Sequence, residues 1–348
     1  MSLPSMMSGV VLTGHGGADC LSWRDDLPVP LPGPGDVLIR VAAAGVNNTD
    51  INTRIGWYSK GDHAADDAAW TGTPLGLPRI QGIDVCGHIV AVGDGVDAAR
   101  IGQRVLIEPC LHEANGQMLE QPWFLGSECD GGFAQYCRIA ARHAHAIDCA
   151  LTDEELASFP CSYSTAENLL TRAQVQADDR VLVTGASGGV GSAAVQLARA
   201  RGATVIAMTS PAKAQSLLDL GADRTIARDA DPVAELGQNA VDVVIDVVAG
   251  PEFPSLLDVL RPRGRYAVSG AIAGPIVDLD VRTLYLKDLT FFGCTALEPH
   301  VFGALIARIE RGEVRPLLAE TYPLAEIATA QAAFAEKGHI GKIVLRVP

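Results

Sequence analysis

The chain has 348 residues, 48% hydrophobic and 20% charged, the proportions of a folded globular protein, and its length exceeds what one core usually supports. Its formal net charge of −14 excludes nucleic acid and anionic membrane surfaces as bulk partners, so an anionic ligand must be met by a local cationic site. No apolar run reaches the roughly 18 residues of a bilayer span, and the start, "MSLPSMMSGV", lacks the basic-then-apolar order of a signal peptide, so the expected location is the cytoplasm.

From residue 9 to about 147, short β-rich runs are broken by Gly and Pro: "DVLIRVAAAG", "DVCGHIVAVG", "QRVLIEP" and "GGFAQYCRIA". They predict an irregular all-β unit. Directly after the first run stands "GVNNTD", residues 45–50. Its amides, hydroxyl and carboxylate serve equally for a hard metal, for a substrate, or for hydrogen bonds to their own turn. Residues 59–78 are rich in Gly, Asp, Ala and Pro, and read either as a flap beside a site or as a surface insertion. The eight cysteines, at 20, 86, 110, 129, 137, 149, 161 and 294, form no C-x-x-C pair and are expected to be reduced thiols.

Near residue 152 the pattern changes. Thr152 with Glu155 forms a capping-box signature ahead of a helical stretch. Apolar strands then alternate with amphipathic helices: "RVLVTG", "TVIAMT", "DVVIDVV" and "GRYAVSG", each but the last followed by a helix. Such alternation predicts an α/β, doubly wound domain with a parallel sheet. A helix ending at Gly312, a short helix from 324 and a last strand, "KIVLRV", complete the chain.

Between the first of these strands and its helix lies a glycine loop, Gly185-Ala186-Ser187-Gly188-Gly189-Val190-Gly191. Gly188 would let the backbone approach a pyrophosphate, Gly191 would let the helix pack closely on the strand, and the helix N-terminus supplies N–H donors. Ala186 replaces the first Gly of G-x-G-x-x-G, and a tight turn without a ligand is the plain alternative. At the end of the second strand, where an NAD site carries an acid, stand Met208, Thr209 and Ser210, followed by Lys213. Hydroxyls and one cation favour NADPH, unless Lys213 is simply a solvated lysine at a helix start.

In order and spacing, "GDVLIRVAAAGVNNTD", "GIDVCGHIVAVGDGV", "GGFAQY", "STAENLL", "GASGGVG", "DVVIDVVAG" and "GKIVL" resemble the medium-chain dehydrogenase/reductase superfamily, in its zinc-free quinone oxidoreductase (zeta-crystallin-like) branch. The resemblance implies a GroES-like β domain over 1–161, a Rossmann NADP-binding domain over 162–296 and a return to the first domain over 297–348. The zinc enzymes of the superfamily carry a catalytic Cys where this chain has Asn47, a His at Ile83 and an acid at Asp84, with only Cys161 keeping a sulfur. The lobe that holds four cysteines there has Cys110 and Cys129 here. The expectation is therefore no metal. Asn47 takes a place beside the nicotinamide ribose, Thr49 the place of a proton-relay hydroxyl, and Tyr58 that of a pocket tyrosine, or else of a surface one. Asn52 departs from a second tyrosine of the branch. Thr165 matches a residue bordering the nicotinamide, Lys342 a cation that meets the pyrophosphate, and Asp246 a strand-end acid that a turn would explain equally well.

The function these readings give is an NADPH-dependent reductase of a quinone, enone or other small carbonyl compound, acting without metal as a homodimer joined along "DLTFFGCTA". The other readings are a divergent zinc alcohol dehydrogenase using Cys161 and Asp84, and a non-catalytic NADPH-binding protein.

Overall fold

A computed structural model describes residues 3–59 and 74–348. Most of the segment 59–78 singled out above lies outside them. The chain divides into two compact units, Met1–Cys161 with Pro316–Pro348, and Ser162–Arg315. The return to the first unit thus falls at 316 and not at 297. The helix Val301–Glu310 stays with the second unit, where Val301, Phe302 and Leu305 are fully buried and Arg308 reaches Glu167.

The first unit is built on Asp36–Gly45, a strand buried on both faces. Val37, Ile39 and Val41 point into one core with Val85, Ile89, Val105 and Ile107. Leu38 and Ala44, the alternate positions, point into another with Phe133, Leu324, Phe334 and Leu345. This strand pairs antiparallel with Asp84–Val92, with Tyr136–Ala140 and with the last strand, Lys342–Arg346. Together with Arg104–Ile107, Ala144–Ala146 and Leu318–Pro323 they form a seven-stranded sheet. A hairpin, Cys110–Ala114 with Gln117–Phe124, turns at Asn115 and Gly116, both at positive φ. Thr152 and Glu155 form the reciprocal cap read from the sequence, but the helix it starts, Asp153–Leu156, is only four residues long. A separate helix runs from Pro160 to Arg172.

In the second unit six strands form one parallel sheet: β1 (Arg180–Val183), β2 (Thr204–Thr209), β3 (Arg224–Ala227), β4 (Val241–Asp246), β5 (Leu260–Val268) and β6 (Thr290–Gly293). Their order is 3-2-1-4-5-6, that of a dinucleotide-binding Rossmann sheet. Among the described residues no helix is long and apolar enough to cross a membrane.

Candidate active site and dinucleotide cradle

In the first unit the motif "GVNNTD" does two things at once. Asn47, extended at φ −130 and ψ 158, is the N-cap of α1 (Asn48–Arg54), and its N–H donates to the Asp50 carboxylate three residues on, at 2.9 Å. That is the local turn chemistry expected of Asn and Asp. The Asn47 side chain points elsewhere: its amide donates to Asp84 Oδ2 at 2.8 Å and its carbonyl accepts from Lys342 Nζ. Lys342 also donates to Val46 O at 2.9 Å and pairs with Asp84 Oδ2 at 2.8 Å. The other Asp84 oxygen accepts from the Cys161 backbone N–H at 2.6 Å. Asp84 and Lys342 are 0% and 2% exposed. Such a buried pair persists only because each charge is hydrogen-bonded on every side.

This network answers the metal question. Asn47, Ile83, Asp84 and Cys161 present an amide, an alkyl chain, one carboxylate and one thiol. The carboxylate is already neutralised by an ammonium that would repel a dication. The donor set does not fit a zinc ion, which wants three or four anionic or imidazole ligands. Among the described residues no group of three or more His, Cys, Asp or Glu side chains could hold a metal.

The structure also revises the role read for Lys342. Its three N–H groups are all engaged, by Val46, Asn47 and Asp84, so a pyrophosphate contact would require releasing one of them.

Thr49 and Tyr58 belong together. The Tyr58 phenol shares hydrogen bonds with the side chains of Thr49 and Asn52, and its ring meets Trp57 edge-on at 5.3 Å. Burial is the main reason that its pKa is raised, so it carries its proton at neutral pH. The departure at Asn52 is thus a polar partner for the phenol. Sequence reasoning missed Asp50 as a titrating group. Burial pushes its carboxyl up to about 7, and the Asp84 charge adds to that; the Asn47 N–H, the Lys342 charge and the Ile83 N–H oppose it. Asp50 belongs to "GVNNTD", but nothing in that motif signals its titration, because the groups that shift it come from remote segments.

The second unit holds the glycine loop. Gly188 is the N-cap of the twelve-residue helix α2 (Gly189–Ala200). A Cβ on Gly191 would stand 2.3 Å from Gly185 O, so this glycine is required by the close packing of helix on loop. A Cβ on Gly188 would find its nearest neighbour at 3.5 Å, an ordinary contact, and φ there is −77. The protein's own packing does not demand glycine at 188, and the backbone there is left open to the approach of a ligand. Ala186 is buried, its N–H donating to Met208 O at 3.1 Å, and Ser187 and Val190 flank the turn. At the end of β2 the hydroxyl of Thr209 is buried without a hydrogen-bond partner. Ser210 caps the short turn Pro211–Lys213, and the Arg228 charge bears on Lys213. Arg228, at the end of the neighbouring strand, is a second cation that sequence reading missed; the signal was a basic residue directly after β3. An open cradle, an unpartnered hydroxyl and paired cations fit a dinucleotide.

Two expected residues are plain. Thr165 is half-buried on the helix Pro160–Arg172. Asp246 is saturated, accepting from Thr184 and Tyr266 hydroxyls at 2.5 Å and from the Val248 and Ala249 N–H groups. It organises the turn after β4, the plain alternative read for it.

A glycine cradle on a Rossmann sheet, carried in one chain with a GroES-like β unit, defines a nicotinamide dinucleotide-dependent oxidoreductase. Residues 33–148 match the family model described as alcohol dehydrogenase GroES-like domain, and residues 189–311 the model described as zinc-binding dehydrogenase. The chain is 31% identical to the quinone oxidoreductase of Lama guanicoe, covering 98% of this chain and 97% of that one. It is 30% identical to the acryloyl-coenzyme A reductase of Metallosphaera sedula, with 97% and 99% covered. A solved structure from Sinorhizobium meliloti 1021, described as that of a candidate alcohol dehydrogenase, superposes with a TM-score of 0.91 at 45% identity, over 99% and 98% of the two chains. The chain belongs to the medium-chain dehydrogenase/reductase superfamily, in its quinone oxidoreductase branch.

Proposed function

We propose that the protein is an NADPH-dependent reductase of quinones or α,β-unsaturated carbonyl compounds that works without a metal. The observation that carries this reading is the closed Asn47–Asp84–Lys342 network beside the Tyr58–Thr49 hydroxyl pair. A hydroxyl pair can stabilise the oxyanion that forms when a quinone or enone is reduced, a role worth on the order of 3 kcal/mol per well-placed donor. The bound dinucleotide supplies the hydride. This chain's residues hold the dinucleotide through the loop Gly185–Gly191 and the α2 N-terminus, and Tyr58 donates to the substrate oxygen. The relatives named quinone oxidoreductase and acryloyl-coenzyme A reductase support these two acceptor classes.

The choice of NADPH rests on Thr209, Ser210, Lys213 and Arg228, which together offer hydroxyls and two cations at the end of β2 and no acid. NADPH oxidation against a panel of quinones, enones and alcohols tests the activity; turnover of alcohols alone, with stoichiometric zinc, would overturn it. Lys213→Ala should weaken NADPH binding roughly tenfold, the value of a charge-assisted contact, and leave NADH binding nearly unchanged. Equal affinity for both in the parent protein would remove the assignment of the phosphate site.

Eight cysteines, none of them in a disulfide, fit the reducing cytoplasm, the location we propose. A homodimer along β6 is proposed from its position at the sheet edge and from exposed apolar side chains around it: Ile276, Val281, Tyr285, Leu286 and Phe291. Light scattering that finds a monomer at micromolar concentration would exclude it.

A further inference from the structure

Behind α1, within the first unit, lies a small cavity lined by Thr49, Asp50, Thr53, Gln81, Phe124 and Ser127, among others. It has room for about one water molecule. Two buried polar atoms on its wall have no partner, Gln81 Oε1 and Ser127 Oγ, on residues that are 1% and 4% exposed. The orientation of Gln81 is fixed, because its amide N–H donates to Asp50 O at 2.9 Å. Leaving both atoms bare would cost about 1–3 kcal/mol each. A water that accepts from the Ser127 hydroxyl and the Asp50 carboxyl and donates to Gln81 Oε1 and the Thr49 hydroxyl satisfies all of them.

We propose that this cavity holds one bound water that passes a proton from Asp50 to the Thr49–Tyr58 hydroxyl pair, making Asp50 the internal proton store for the reductive half of the reaction. The inference rests on the reductase reading above. In the enone case, the enolate oxygen left after hydride addition forms an O–H bond with the Tyr58 proton as the Tyr58 O–H bond breaks, and the enol tautomerises to the carbonyl product in solvent. The phenolate oxygen takes the Thr49 proton, Thr49 takes one from the water, and the water takes one from Asp50. No electrons move in this relay. It ends with one carboxylate, Asp50, which regains its proton from solvent after product leaves.

Asp50 is suited to the task by what faces it. The charged groups acting on it are Asp84, from the adjacent strand, and Lys342, from the last strand. Lys342 is committed to Asp84, so two carboxylates share one ammonium and the second acid retains its proton up to about pH 7. Asp50 acts through Tyr58 and touches no substrate atom.

The test uses the full chain without added ligand first. Infrared difference spectra with labelled aspartate should show one carboxylic-acid C=O band titrating near 7. Asp50→Asn should abolish it. Ser127→Ala, which removes one water partner and keeps the acid, should shift its frequency. In turnover with an enone, kcat of the parent protein should fall as pH rises through 7. Asp50→Asn should lower kcat on the order of 10²-fold, as expected for loss of a positioned proton donor, and flatten the profile; Asp50→Glu should restore part of both. A C=O band that survives Asp50→Asn, a band that ignores Ser127→Ala, or an unchanged pH profile in Asp50→Asn would overturn the proposal. If no quinone or enone is reduced, the reductase reading falls, while the infrared titration still decides whether Asp50 stores a proton beside a bound water.

Discussion

Asp84 and Lys342 illustrate how much depends on two single side chains that stand in separate motifs and meet only in the fold. Removing one member of a fully buried, hydrogen-bonded pair leaves an uncompensated charge, at about 3–5 kcal/mol. Lys342→Met should therefore lower the urea midpoint strongly. Adding Asp84→Asn should recover most of the loss, because the amide oxygen can still accept from the Cys161 N–H without a charge to bury. Asp50 contributes in the opposite sense. Its folded-state pKa of about 7 lies above the ordinary 3.8, so its contribution to stability is present below about pH 4 and is lost as pH rises through 7. The loss is on the order of 4 kcal/mol. Asp50→Asn, which cannot ionise, should remove that slope, so that the variant is the more stable protein above neutral pH and nearly equal to the parent in acid. Urea midpoints measured across this range would show it.

At the scale of elements, the glycine loop was legible in the sequence because its requirements are local: a strand, a turn and a helix within about fifteen residues. Two of its glycines separate by cause. Gly191→Ala should destabilise the second unit, since its Cβ would stand 2.3 Å from a backbone oxygen. Gly188→Ala should leave the melting temperature of the free protein unchanged and abolish most of the shift that a dinucleotide produces, because only a ligand needs the space. The capping box at Thr152 was equally legible, whereas the length of its helix was not; Pro160 opens a new helix and ends the first by a competing start. "GVNNTD" was half legible. Its capping role follows from neighbouring residues, but its side-chain partners come from Asp84 and Lys342, which no local pattern links to it. The boundary at 297 failed for the same reason. The packing of Phe302 and Leu305 into the second unit is a tertiary fact, invisible to a reading of alternation.

For the whole molecule, the pairing of Lys342–Arg346 with Asp36–Gly45 carries a consequence for how the protein is made. A chain emerging from the ribosome exposes Asn47 and Asp84 first, yet Lys342, the cation that neutralises Asp84, follows only after the whole Rossmann unit. The intervening Rossmann unit is a compact unit of its own over Ser162–Arg315, so it has what it needs to fold while synthesis continues. The first unit does not. Until its final strand docks, it must bury an unpaired carboxylate and leave an edge of Asp36–Gly45 open. A chain cut at residue 340 should thus retain a cooperatively melting Rossmann unit with its dinucleotide affinity, while residues 3–161 become susceptible to protease. In that order of synthesis the unit that carries Asn47 and Tyr58 is completed after the Rossmann unit, so a chain released early should bind a dinucleotide before it can turn over substrate.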